Sequence, residues 1–193
     1  MKQAVPIVLA VIVLIGLAVV IRGSMYVREV RQQEAQIQQA IEHLAQPGFT
    51  LARQPRPIPT SKIWTAWILE PFPRIRSFFE IISGDLYWHP GQKVLMDAVY
   101  RTDAAPETIR ARYLEQFQPI QDSPMFDGGY ALSVQVENVH LQLSIGPRDF
   151  MPDGEIYYAN PNGSFGTRAN AVEILAGIPS AEELEQIKAY PIP

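Results

Sequence analysis

The stretch that decides the fold is YALSVQVENVHLQLSI, Tyr130 to Ile145. Tyr130, Leu132, Val134 and Val136 alternate with small or polar residues. After Glu137-Asn138, Val139, Leu141, Leu143 and Ile145 do the same. A period of two is the signature of a half-buried strand. A two-residue turn at Glu137-Asn138 pairs Val136 with Val139, Val134 with Leu141, Leu132 with Leu143 and Tyr130 with Ile145. Every apolar side chain then lies on one face, and a slip of one residue loses this. Asn138 tolerates the positive φ of a tight turn. Ser133, Gln135, His140, Gln142 and Ser144 are left on the other face, read as a solvated or docking surface.

Upstream, Val94–Arg101 alternates with apolar residues on both faces, which predicts an interior strand. Asp103 is read as a helix N-cap, with Pro106 in the first turn. Ile109, Tyr113 and Phe117, with Leu114, form one face of a helix ending near Pro119. Downstream, Glu155–Ala159 is read as a further strand and Asn160-Pro161-Asn162-Gly163 as a turn. Arg168–Ala176 is expected as a helix closed by Gly177. Ser180 and Glu183 form a capping box that opens another, roughly Ala181–Ala189. Strand, helix, hairpin and strand in that order predict an α+β fold: a small two-layer sandwich with a mostly antiparallel sheet.

The beginning of the chain is of another kind. Ala4–Ile21, AVPIVLAVIVLIGLAVVI, has no charge in 18 residues, and 13 of them are Val, Ile or Leu. As a helix it would span about 27 Å, near the ~30 Å of a bilayer core. Those residues favour insertion by about −4 to −8 kcal/mol. The run is long for a signal peptide, and no A-x-A cleavage site follows it. Residues 1–22 are therefore expected to be a transmembrane anchor. Arg22, Arg28 and Arg31 after the run favour a cytoplasmic C-terminal part by the positive-inside rule. The short tail before it resembles a signal-anchor, which would export that part, and the exported side is our expectation.

Residues 23–46 are expected as a juxtamembrane amphipathic helix. Val27, Val30, Ile37, Ile41 and Leu44 follow a heptad spacing interrupted by Glu34. These five are the expected contact with a partner helix or a second copy; packing on the protein's own domain is the alternative. Pro47-Gly48 ends this helix. Residues 47–82 read as a Pro- and aromatic-rich linker with a short helix at Arg74–Ile82. There Trp64, Trp67, Arg74 and Arg76 suit a membrane interface, while ordinary core packing of the aromatics is the leading alternative. Residues 83–193 hold the α+β domain and a C-terminal helical tail.

Composition narrows the chemistry. The chain has 193 residues, no Cys and a net charge of −4. Residues 1–82 carry 9 Lys/Arg and 5 Asp/Glu, whereas 83–193 carry 7 and 15, so the second part should repel nucleic acid. His43, His89 and His140 lie in separate segments without metal-ligand spacing. Asp149, Asp153 and Glu155 lack the order of a calcium loop. No nucleophile, phosphate-loop or zinc motif is present, and no cofactor, metal or catalytic residue is expected. The expected function is that of a membrane-anchored, non-catalytic interaction or scaffold protein of the cell envelope. A membrane-anchored enzyme or small-ligand-binding or sensor domain is the alternative.

Overall fold

The computed structural model describes residues 4–69, 71, 94–126, 128–150, 156–157 and 167–189. The chain divides into two compact units. One comprises Met1–Gln33 and Ile58–Gln92, the other Glu34–Pro57 and Lys93–Pro193.

Helix α1, Ala4–Leu44, has 41 residues and contributes to both units. At 1.5 Å per residue it is about 60 Å long. It is the one helix among the described residues long and apolar enough to cross a membrane. Its apolar half is bare: Leu9, Leu14 and Ile21 are 62%, 64% and 51% exposed. Residues 23–46, expected as a separate helix, continue α1 without a break to Leu44. A glycine inside a helix costs about 1 kcal/mol, and Gly23 has a packing reason for its place. A Cβ there would lie 2.1 Å from Trp64 Cζ3. Trp64 belongs to α2, Thr60–Leu69, in the same unit. Arg31 Nη2 donates to Thr60 Oγ1 at 2.7 Å and fastens the start of α2 to α1.

The second unit is α+β. Its strands are β1 (Thr50–Arg53), β2 (Leu95–Thr102), β3 (Gln121–Pro124), β4 (Tyr130–Val136), β5 (Val139–Phe150), β6 (Ile156–Tyr157) and β7 (Thr167–Gly177). Its other helices are α3 (Pro106–Gln116) and α4 (Ala181–Ala189). The sheet is antiparallel in the order β1-β2-β7-β5-β4-β3, with β6 paired to the end of β5. The hairpin has the register expected from its alternation, from Tyr130 opposite Ile145 to Val136 opposite Val139. The positive φ of its turn, however, falls on Glu137 (φ 53°) rather than on Asn138.

Three expectations are corrected. Arg168–Ala176 is strand, not helix. Its alanines favour a helix, but β7 is central and bonds to β2 and β5 on both sides. Val172, Ile174 and Ala176 are buried at 0%, 1% and 0%, a period of two that tertiary pairing imposes over local propensity. Asp103 does not cap α3. The N-cap is Ala105, with no side-chain hydrogen bond and Pro106 beginning the helix. The local bond is instead Ala104 N donating to Thr102 Oγ1 at 3.2 Å. Thr50–Arg53, placed in a linker, is an edge strand on β2.

One face of the sheet forms the core. Met96, Ala98, Leu132, Val134, Leu141, Leu143, Ile145 and Ile174 are buried, as are Ile109 and Tyr113 of α3 and Ile37, Ile41 and Leu44 of α1. Tyr113 Oη donates to the Leu44 carbonyl at 3.0 Å, and His43 meets Phe117 edge-on. The last turns of α1 are thus part of the domain interior. Beyond them a turn from Gln46 to Phe49 carries Gly48 at φ 87°, a value that suits glycine.

Candidate functional site

The opposite face of the sheet carries polar residues where its alternation demands them. Strand pairing sets them in rows. One row runs Asp97, Leu175, Gln142, Ser133, Gln121; the next runs Arg53, Val99, Glu173, Ser144, Ala131, Ser123. A concavity of about 370 Å3 lies over these two rows.

Its walls are ion pairs that are already closed. Arg53 Nη1 donates to Asp97 Oδ2 at 3.1 Å. Arg148 pairs with Glu173, and its Nη2 donates to Ser144 Oγ at 2.8 Å. The second pair is the better shielded, with side chains 15% and 18% exposed against 25% and 52% for the first. The groove also offers neutral polar groups. Gln142 and Ser123 line it, both half-buried, and no described hydrogen bond uses either side chain. Met125 and Leu175 supply apolar wall.

Beside this groove, Ser133 Oγ and His140 Nε2 share a hydrogen bond at 2.6 Å, with Ser133 1% and His140 7% exposed. The sequence had placed His140 opposite Gln135, and that register is correct. The side chain nevertheless turns diagonally to Ser133, while Gln135 Nε2 donates to the Glu137 carbonyl at 2.9 Å. β4 is paired on both sides, to β3 and β5. The ladders occupy the amides around Ser133, so they do not form an oxyanion hole. The pair keeps two buried polar groups satisfied.

Helix α4 borders the same face. Ser180 N donates to Glu183 Oε2 at 2.8 Å and Glu183 N donates to Ser180 Oγ at 3.3 Å, the expected capping box. Gln121 Nε2 donates to the Ile187 carbonyl at 2.8 Å, and Ile187 lies beside His140, Gln142 and Leu175.

The expected contact residues lie elsewhere. Ile37, Ile41 and Leu44 are each 0% exposed inside the second unit, and the interrupting Glu34 is 5% exposed. Their burial corrects the reading of a stripe open to a partner: intramolecular packing has already taken that apolar surface. Val30 is buried at 2%, and Val27 is half-buried. Trp64 and Trp67 are half-buried and meet edge-on at 5.7 Å. Arg74, Arg76, the Arg74–Ile82 helix, His89, Asp153 and Glu155 lie outside the described residues. Among the described residues no group of three or more His, Asp or Glu is placed to hold a metal ion. No protein-family model matches the chain, and neither the curated proteins nor the solved structures compared with it include a match.

Proposed function

We propose that this chain is a single-pass membrane-anchored binding protein whose α+β domain takes a small, uncharged polar ligand in the groove over the open sheet face. The groove carries the reading. It is concave, about 370 Å3 in volume, and lined by Gln142 and Ser123 with no described hydrogen bond to satisfy them. A pocket of this size with a few convergent polar groups suits a small molecule. The cations and carboxylates of its walls neutralise one another, so a charged ligand would have to break a pair. Hydroxyl and amide groups would not. The anchor reading is supported by the bare apolar half of α1. The burial of Ile37, Ile41 and Leu44 withdraws those side chains from the surface and so supports the sheet face over the helix as the binding surface.

The experiment is a thermal-shift screen of the full chain in neutral detergent against neutral mono- and disaccharides and blocked dipeptide amides. A true ligand at 100 times its Kd stabilises by about 2.7 kcal/mol. Gln142→Leu, which faces the groove and not the core, should abolish the shift. A screen without any saturable shift, or a shift that Gln142→Leu leaves unchanged, rejects the groove as the binding site.

A further inference from the structure

The first unit has a recess of its own where the apolar run of α1 stops. It encloses about 590 Å3 and is lined chiefly by Arg22, Met25, Tyr26, Arg28, Glu29 and Trp67. The sequence builds it simply. Arg22 follows Ile21 directly, and Met25, Tyr26 and Glu29 fall three, four and seven residues on, along one side of the helix. Trp67 arrives from α2. Thr60 of that helix bonds Arg31, Trp64 rests on Gly23 and Trp67 borders the recess with Arg22. Helix α2 therefore runs back along α1 towards the apolar end, and its two tryptophans gather beside the last uncharged turn.

The charge there is one-sided. Residues 22–33 and 58–69 hold Arg22, Arg28, Arg31 and Lys62 against a single carboxylate, Glu29. Arg31 is engaged with Thr60. Arg22 and Arg28 have no carboxylate partner among the described residues, and both are exposed. Cations and tryptophan just past an apolar span are the chemistry of the headgroup layer.

We propose that this recess binds the phosphate of an anionic phospholipid, with Arg22 and Arg28 holding the headgroup and Trp67 resting against the glycerol region. The inference rests on the membrane-anchor reading above. The exposed apolar run next to the recess gives the acyl chains a place, which a free phosphate would not use.

The test begins with membranes containing the full chain, washed in carbonate. Chain in the supernatant rejects the anchor and the lipid site together. Chain that stays is extracted in neutral detergent with equal phosphatidylglycerol and phosphatidylcholine, and retained lipid is read by native mass spectrometry. Phosphatidylglycerol should be retained about thirtyfold over phosphatidylcholine, as two cations near the surface would give. Arg22→Gln with Arg28→Gln should erase the preference while circular dichroism stays unchanged. Glu29→Gln should strengthen it. Equal retention of both lipids, or a preference that survives the double substitution, overturns the recess and leaves the anchor standing. Displacement of the lipid by glycerol phosphate at equal concentration shows a free-phosphate site and overturns the lipid assignment.

Discussion

The hydroxyl of Tyr113 in α3 donates to the carbonyl oxygen of Leu44, the last residue of α1, at 3.0 Å across 69 residues of chain. Helix ends leave carbonyls without an intrahelical partner, and this bond satisfies one inside the core. Tyr113→Phe should cost about 1–3 kcal/mol at neutral pH, the penalty for stranding a buried acceptor. Urea unfolding of the full chain measures it.

The same tyrosine gives a pH dependence. Burial raises the Tyr113 hydroxyl above its ordinary pKa of 10.0, and Tyr100 adds to the shift. Tyr100 is itself raised, by burial first and by Glu42 second. The folded protein then keeps protons that the unfolded chain releases, so stability is complete below pH 10.0 and falls as pH rises above it. Unfolding midpoints between pH 8 and 11 should fall in wild type and fall less steeply in Tyr113→Phe. A flat wild-type profile would contradict the burial of both rings.

The hairpin separates two neighbours. Val134 is 1% exposed, while Gln135 points to solvent. Val134→Asp buries an unpaired carboxylate and should destabilise by several kcal/mol. Gln135→Asp should stay within about 0.5 kcal/mol, as surface changes do. Similar melting temperatures for the two variants would mean that the register is wrong.

The helical stripe now behaves as core. Ile37→Glu with Ile41→Glu should unfold the second unit rather than release a partner, because both side chains are fully buried there. Near-ultraviolet circular dichroism of the full chain reads this directly. A folded double mutant would return the stripe to the surface.

Gln46 presents the reverse case. It is 7% exposed, and neither its Nε2 nor its Oε1 has a hydrogen-bond partner among the described residues. Gln46→Met keeps the length and removes the polar group. It should raise stability by about 1–3 kcal/mol, the desolvation cost of an unsatisfied buried group. A fall in melting temperature would show that the amide has a use.

The sequence made the hairpin legible because both of its strands touch the core on one face only, so alternation survives in the residues themselves. β7 was illegible because Ala169, Ala171 and Ala176 blur its alternation and suit a helix as well, and its pairing to β2 and β5 decides the matter. The stripe on α1 had a true period, but a period shows which side is buried and not what buries it. The groove was half visible. Ser133, Gln142 and Ser144 could be assigned to one face from the hairpin, whereas Arg53, Asp97 and Glu173 join them only through long-range strand pairings such as Arg53 with Val99 and Asp97 with Leu175. The recess beside Arg22 depends on the return of α2, and Gly23 was its one local sign.

The place of β7 sets an order of events during synthesis. Among the described strands it is the last in chain order, yet it lies between β2 and β5. Until residue 177 has emerged, β1-β2 and β5-β4-β3 are separate ribbons, each with an open inner edge. The continuous sheet from β1 to β3 therefore cannot close before β7 has been made.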